Sequence, residues 1–104
     1  MPGVDFRLLR ERVTMREVLE LLQFEPLVQC GDQWRGPCPV HGSRNPRSRS
    51  FSVYVRLGRR HCFACGSRGH ALELWSAVHG LSLYAAAVEL CELLGLETPW
   101  MTAW

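Results

Sequence analysis

Four residues carry the chemistry that can be read from this chain. Cys38-Pro39-Val40-His41 and Cys62-Phe63-Ala64-Cys65 are two short knuckles separated by 20 residues. Each offers a pair of soft or borderline ligands at the spacing where both side chains of a tight turn reach one ion. Three thiolates and one imidazole fill a tetrahedral zinc shell, so the expected site is closed and structural. A catalytic zinc would keep one position for water. The spacer is long enough for a small hairpin that lays the second knuckle beside the first. Disulfides fit less well: five cysteines (Cys30, Cys38, Cys62, Cys65, Cys91) are an odd number, and no secretion signal is evident. A redox reading of Cys62-x-x-Cys65 would want a thioredoxin-like strand and helix around it, and leaves the upstream knuckle without a purpose.

Charge is distributed unevenly around those knuckles. The net value is only +2, yet residues 33–70 hold eight Arg and no acid, while residues 1–32 hold four Arg against six acids and residues 71–104 hold four acids and no base. The basic middle coincides with the zinc module, which is the electrostatic footprint of a nucleic-acid binder. No apolar run approaches the ~20 residues of a membrane span, and the chain reads as cytoplasmic and nucleoid-associated.

The elements that must position the knuckles follow from periodicity and caps. Val4 to Arg12 is predicted as a short helix with Phe6, Leu9 and Val13 on one face. Thr14-x-x-Glu17 is a capping box opening a second helix, with Met15, Val18, Leu19 and Leu22 inward. Pro26 ends the helical signal. Leu27 to Gln29 and Gln33 to Arg35 then read as a hairpin around Gly31-Asp32, with Cys30 a spectator thiol near the turn. Phe51 to Arg56 alternates as a half-buried strand, with Phe51, Val53 and Val55 in and Ser52, Tyr54 and Arg56 out. Leu57-Gly58 turns the chain into a return strand, Arg59 to Cys62. Helices are expected from Ala71 to His79, stopped by Gly80, and from Ser82 to Gly95, with Leu83, Ala86, Ala87, Leu90 and Leu94 buried. Cys91 reads as a small core residue. Together these predict one α+β domain over 1–104. A small zinc ribbon at 25–66, an antiparallel sheet of about four to five short strands, lies between N-terminal helices at 1–24 and C-terminal helices at 67–95. A tail with two Trp follows at 96–104, either frayed or a docking peptide.

Aromatic rings interleaved with Arg on one sheet are how proteins hold single strands, by stacking and phosphate contact. The ribbon is expected to present Trp34, Arg35, Tyr54, Arg56, Arg59 and Arg60, with Phe63 and Arg68 beside the second knuckle. The Arg- and Ser-rich stretch between His41 and Phe51 adds Arg44, Arg47 and Arg49, either as a solvated loop or as a phosphate-contacting arm that orders on binding.

Cys38-Pro39-Val40-His41, Ser50-Phe51-Ser52-Val53 and His61-Cys62-Phe63-Ala64-Cys65-Gly66, closed by Gly69, resemble the zinc-binding domain of bacterial DnaG-type primases. The Cys-His-Cys-Cys ligand order is that family's, and its flanking helices match Val13 to Leu22 and Ala71 to Gly95; the resemblance covers about residues 5–96. Two departures stand out. The segment between His41 and Ser50 is longer and replaced by Arg and Ser, and His70 stands where Asp or Asn often caps the next helix.

The resemblance implies one structural zinc and recognition of single-stranded DNA in primer synthesis. It does not imply polymerisation by this stretch, because the family's TOPRIM catalytic domain and its paired carboxylates have no counterpart here: Asp5 and Asp32 are the only aspartates. The expected partners are single-stranded DNA and a primase catalytic domain, helicase or polymerase. A zinc-stapled adaptor docking on a primase, helicase, polymerase or mobile-element partner is the other reading. An independent enzyme fits poorly, since a closed zinc uses the ligands and no nucleophile–base pair stands out.

Overall fold

The structure is a computed structural model that describes residues 3–42, 45 and 47–101. Two helices, α1 (Phe6–Arg12) and α2 (Met15–Leu21), precede a ribbon of five strands: β1 (Val28–Cys30), β2 (Gln33–Gly36), β3 (Phe51–Tyr54), β4 (Arg59–Cys62) and β5 (Arg68–Gly69). Two more helices, α3 (Ala71–His79) and α4 (Leu83–Leu94), follow the ribbon. The strands run antiparallel in the order β1-β2-β3-β4-β5, a meander with each strand beside its sequence neighbour. This is the expected α+β ribbon between helices. The two-residue β5 adds a short fifth strand after the second knuckle, and β3 stops at Tyr54 rather than Arg56.

The helices begin and end where local chemistry dictates. Asp5 caps α1 by accepting from the Leu8 N–H. Thr14 and Glu17 form the complete capping box of α2. Ser82 accepts from Ala85 N at the start of α4, while Gly80 (φ 64°) and Gly95 (φ 69°) close α3 and α4 in the left-handed conformation. His70 stands at the α3 N-cap without a side-chain capping bond.

Leu9, Val13, Met15, Val18 and Leu19 from the N-terminal helices meet Phe51 and Val53 of β3 and Leu72, Leu74, Trp75, Ala86, Ala87 and Leu90 of α3 and α4, with Cys91 among them. Helices therefore cover one face of the sheet and leave the other open. Cys38 and Cys62 belong to this core, so the knuckles grow out of packed structure rather than hanging from it. The stretch expected to be either frayed or a docking peptide pairs, as far as Met101, with the start of the chain. Asp5 N donates to Pro99 O (2.6 Å), Met101 N donates to Gly3 O (2.7 Å), and Val4 bridges Trp100. Trp104 lies outside the described residues. Among the described residues no single helix is long and apolar enough to cross a membrane.

Candidate metal centre and sheet face

Cys38 follows Gly36-Pro37 at the exit of β2, and the next four residues turn, with Gly42 at φ 59°. Cys62 ends β4, and its turn closes through Gly66 N donating to Cys62 O (2.9 Å), with Gly66 at φ 77°. The sheet register brings the two turns together. Gly36 pairs with Phe51 and Phe51 with Cys62, so the ends of β2 and β4 flank one residue of β3. One ligand atom from each of Cys38, His41, Cys62 and Cys65 lies within 4.8 Å of the others. Ligands around a tetrahedral zinc, bonded at roughly 2.0–2.3 Å, stand about 3.5–3.8 Å apart. The His41 Nδ1 to Cys62 Sγ separation is 3.7 Å. Donor chemistry and spacing both fit zinc, and the ring nitrogen turned toward the thiols is Nδ1. Cys30 is exposed and outside the cluster, as expected of a spectator.

The two knuckles treat their first sulfur alike. Backbone N–H groups of Val40 and His41 point at Cys38, and those of Ala64 and Cys65 at Cys62, with Cys65 N 3.5 Å from Cys62 Sγ. Burial opposes ionisation at both. At Cys38 burial wins and the neighbouring Cys62 adds to it, so the thiol is pushed up to about 11. At Cys62 the turn N–H groups, Cys65 and the Ser50 hydroxyl outweigh burial, and the thiol falls to about 6. Cys62 thus ionises more readily than Cys38.

The register also decides which residues share the open face. Two rows cross the sheet there: Val28, Arg35, Ser52, His61 and Arg68, then Cys30, Gln33, Tyr54 and Arg59. Arg59 and Arg68 are exposed, and Tyr54 is 44 % exposed. Phe63, 66 % exposed, lies edge-on to His61 with ring centres 4.6 Å apart, and the Arg35 guanidinium stands 5.3 Å from its centre. Arg35 Nε and Nη2 both donate to the Arg49 carbonyl (3.1 and 2.8 Å), tying the preceding loop to this face. Arg47 and Arg49 are exposed on that loop. Arg44 lies outside the described residues.

Three expectations about this face need correction. Trp34 pairs with Val53, a core residue, so it lies on the helix side of the sheet, half-buried, with the Arg16 guanidinium 5.4 Å from a ring centre. Arg60 pairs with Val53 from the other side and is 5 % exposed, its Nη1 donating to Ser67 Oγ at 2.5 Å. Arg56 belongs to the β3–β4 turn, where it pairs with Asp32 at 3.2 Å. The cause is the strict two-residue alternation of a strand: inward Phe51 and Val53 carry their cross-strand partners inward too. Ser52 is on the open face as expected but buried, accepting from Gln33 Nε2 at 3.2 Å. Gln33 and His61 are residues of the face that the sequence reading missed. Cys62 must turn inward toward the metal, and that parity alone would have put His61 and Arg59 out and Arg60 in.

Fold and site together define a zinc ribbon with a closed Cys-His-Cys-Cys centre and a basic, aromatic sheet face. The chain belongs to the CHC2 zinc finger family, the zinc ribbon of DnaG, whose family model matches residues 4–103. It binds one structural zinc. Among its relatives, the DNA primase of Lactococcus lactis subsp. lactis is 31 % identical over 88 residues, covering 85 % of this chain and 13 % of the relative. That of Pasteurella multocida is 32 % identical over 84 residues, covering 80 % of this chain and 14 % of the relative. The crystal structure of the zinc-binding and RNA polymerase domains of Aquifex aeolicus primase superposes with a TM-score of 0.71 at 28 % identity, over 91 % of this chain and 22 % of that one. The chain thus spans about an eighth to a seventh of the length of these curated primases.

Proposed function

We propose that this ribbon is a template-recognition module that holds single-stranded DNA on its open sheet face during primer synthesis, without itself joining nucleotides. The observation that carries this reading is the row Arg35, His61 and Arg68 beside Tyr54, Arg59 and Phe63. Cations and rings alternate on one face, and no Asp or Glu occurs anywhere from residue 33 to residue 70. Arg supplies phosphate contact, the rings supply sequence-tolerant stacking, and the zinc fixes the sheet that spaces them. The full length of the primase relatives makes a catalytic domain, a helicase or a polymerase the natural protein partners, with action on the nucleoid in the cytoplasm. Fluorescence anisotropy of the zinc-loaded chain with labelled single-stranded and duplex DNA at two salt concentrations is the test. Tighter binding of the single strand, weakening steeply with salt, is expected. Equal binding to an unrelated acidic polymer would refute the reading.

A second reading, a docking adaptor, draws on one surface. Tyr84, Trp100 and Met101 are all about half-exposed, and the Tyr84 and Trp100 rings lie 6.2 Å apart where the tail crosses the N-terminal segment. The two roles are compatible because this patch lies outside the sheet face.

A further inference from the structure

The basic surface does not stop at the edge of the sheet. At the β3–β4 turn, the corner between α1 and α2 stands away from the ribbon and leaves a cleft of about 600 Å³. Arg10, Arg16, Arg56 and His70 line it, with Glu11 and Asp32 as its acids. A smaller hollow of about 320 Å³ lies beside it, lined by Arg59, Arg60, Arg68, Gly69 and His70, with no acid in its walls. His70 belongs to both. Arg59 and Arg68 belong at once to the hollow and to the open face.

We infer that the cleft is a second binding segment for single-stranded nucleic acid, receiving the backbone of a strand that leaves the sheet face past Arg59 and His70 and turns over the tip of the ribbon. This rests on the reading of the sheet face given above. Arg56 and Arg16 hold the incoming phosphates. Arg56 is the better placed: its side chain is 79 % exposed, and its ion pair with Asp32 is itself exposed. Such a pair contributes little and yields readily to a phosphate. Arg16 is steadied over Trp34, which presents the guanidinium at the cleft wall. Arg10 is committed to Glu73 and serves as wall rather than as contact. A strand fits better than a free nucleotide because the cleft and the hollow share His70 as a common wall, and the hollow shares Arg59 and Arg68 with the face where bases would stack.

The test compares labelled oligothymidylates of about four and about twelve nucleotides, lengths within the range single-strand sites occupy, on the zinc-loaded chain. The long oligomer is expected to bind more tightly than the short one. Arg56→Gln, and Arg16→Gln with Arg56→Gln, should weaken the long oligomer by roughly threefold to tenfold and flatten its salt dependence, leaving the short one unchanged. Arg56→Gln alone, on an exposed turn, decides the matter if replacing Arg16 disturbs the fold. Equal affinity of the two lengths, or equal loss of both in the variants, overturns the cleft while leaving the face. Loss of the short oligomer from the wild-type chain removes the face and this inference with it. Thymidine monophosphate shifting the Arg56 and His70 amide resonances, with no gain for the long oligomer, would make the cleft a mononucleotide pocket and overturn the strand.

Discussion

Arg60 and Glu73 pass one another at Gly69. A Cβ built on that glycine would stand 3.3 Å from Glu73 Cβ and 3.8 Å from Arg60 Nη2. Arg60 thereby lies between the three thiols and a carboxylate, and all four attract its charge: burial lowers its basicity, while Cys38, Glu73, Cys65 and Cys62 raise it. Zinc with three thiolates and a neutral imidazole carries one net negative charge. Buried Arg60 offsets it, and Glu73 extends the alternation to Arg10 on α1.

Arg60 is therefore expected to support the metal rather than to touch DNA. Arg60→Met should leave the thiolates without their buried counter-charge, while Glu73 keeps Arg10. The expected cost is about 2–3 kcal/mol of stability, somewhat below the loss from breaking a fully buried pair. Zinc should transfer to a competing chelator more readily, while the loaded variant keeps its affinity for single strands. Unchanged zinc retention with weakened DNA binding would contradict the burial described here. Gly69→Ala probes the same contact, since φ is 136° there and the new methyl would press on Glu73.

The two aromatic residues once expected on one surface should behave as opposites. Tyr54→Ala removes an exposed ring from the open face, and should cost about 1–3 kcal/mol of single-strand affinity with little change in melting temperature. Trp34→Ala removes a half-buried ring from the helix side. It should cost about 2 kcal/mol of stability, less than a fully buried aromatic, and leave the affinity of a short oligomer held on the sheet face intact per folded molecule. Thermal melting and anisotropy on the same preparations separate the cases. Equal affinity losses would mean that the faces are not segregated.

Removing the metal should unmake the ribbon. Cys38 and Cys62 are 1 % and 0 % exposed within the core, so an empty site leaves two polarisable groups there and two turns with no ion to hold them together. Chelation, or Cys62→Ser with Cys65→Ser, is expected to abolish hydrogen-exchange protection of β3 and β4 first, because binding energy at such sites is folding energy. An unchanged exchange pattern in metal-free protein would show that the core alone holds the sheet.

Much of this could be read from residues alone, for reasons that differ by element. The capping box at Thr14 and Glu17, the stop at Gly80 and the cap at Ser82 are local devices, and local devices leave local marks. The zinc centre was legible because knuckle spacing encodes geometry directly. The sheet face was not fully legible, because basic residues were collected by proximity along the chain instead of by parity across strands. Arg59 and Arg60 are adjacent, yet one faces solvent and the other the core. The tail was opaque for another reason: its pairing with Gly3 and Asp5 joins opposite ends of the chain, and backbone hydrogen bonds carry no side-chain signature.

The link between α1 and α3 should report on acid. Arg10 Nε and Nη2 both donate to Glu73 Oε1 (2.9 and 2.5 Å), with the side chains 35 % and 27 % exposed. Burial alone would raise the Glu73 carboxyl, but the Arg10 hydrogen bonds outweigh it and hold it below the ordinary value of 4.5. A carboxyl lower in the folded state than in the unfolded chain stabilises fully above the unfolded value, and loses that contribution as pH falls through the folded one. Solvent screening limits the pair to about 0.5–1 kcal/mol. Acid also strips zinc, so the informative quantity is a difference: the melting temperature of wild type minus that of Arg10→Met, followed from neutral pH downward. The gap should be constant near neutrality and close below the ordinary carboxylate pKa. A gap that persists unchanged into acid would mean that Arg10 contributes by packing on Phe6, whose ring centre lies 5.9 Å from its guanidinium, rather than by charge.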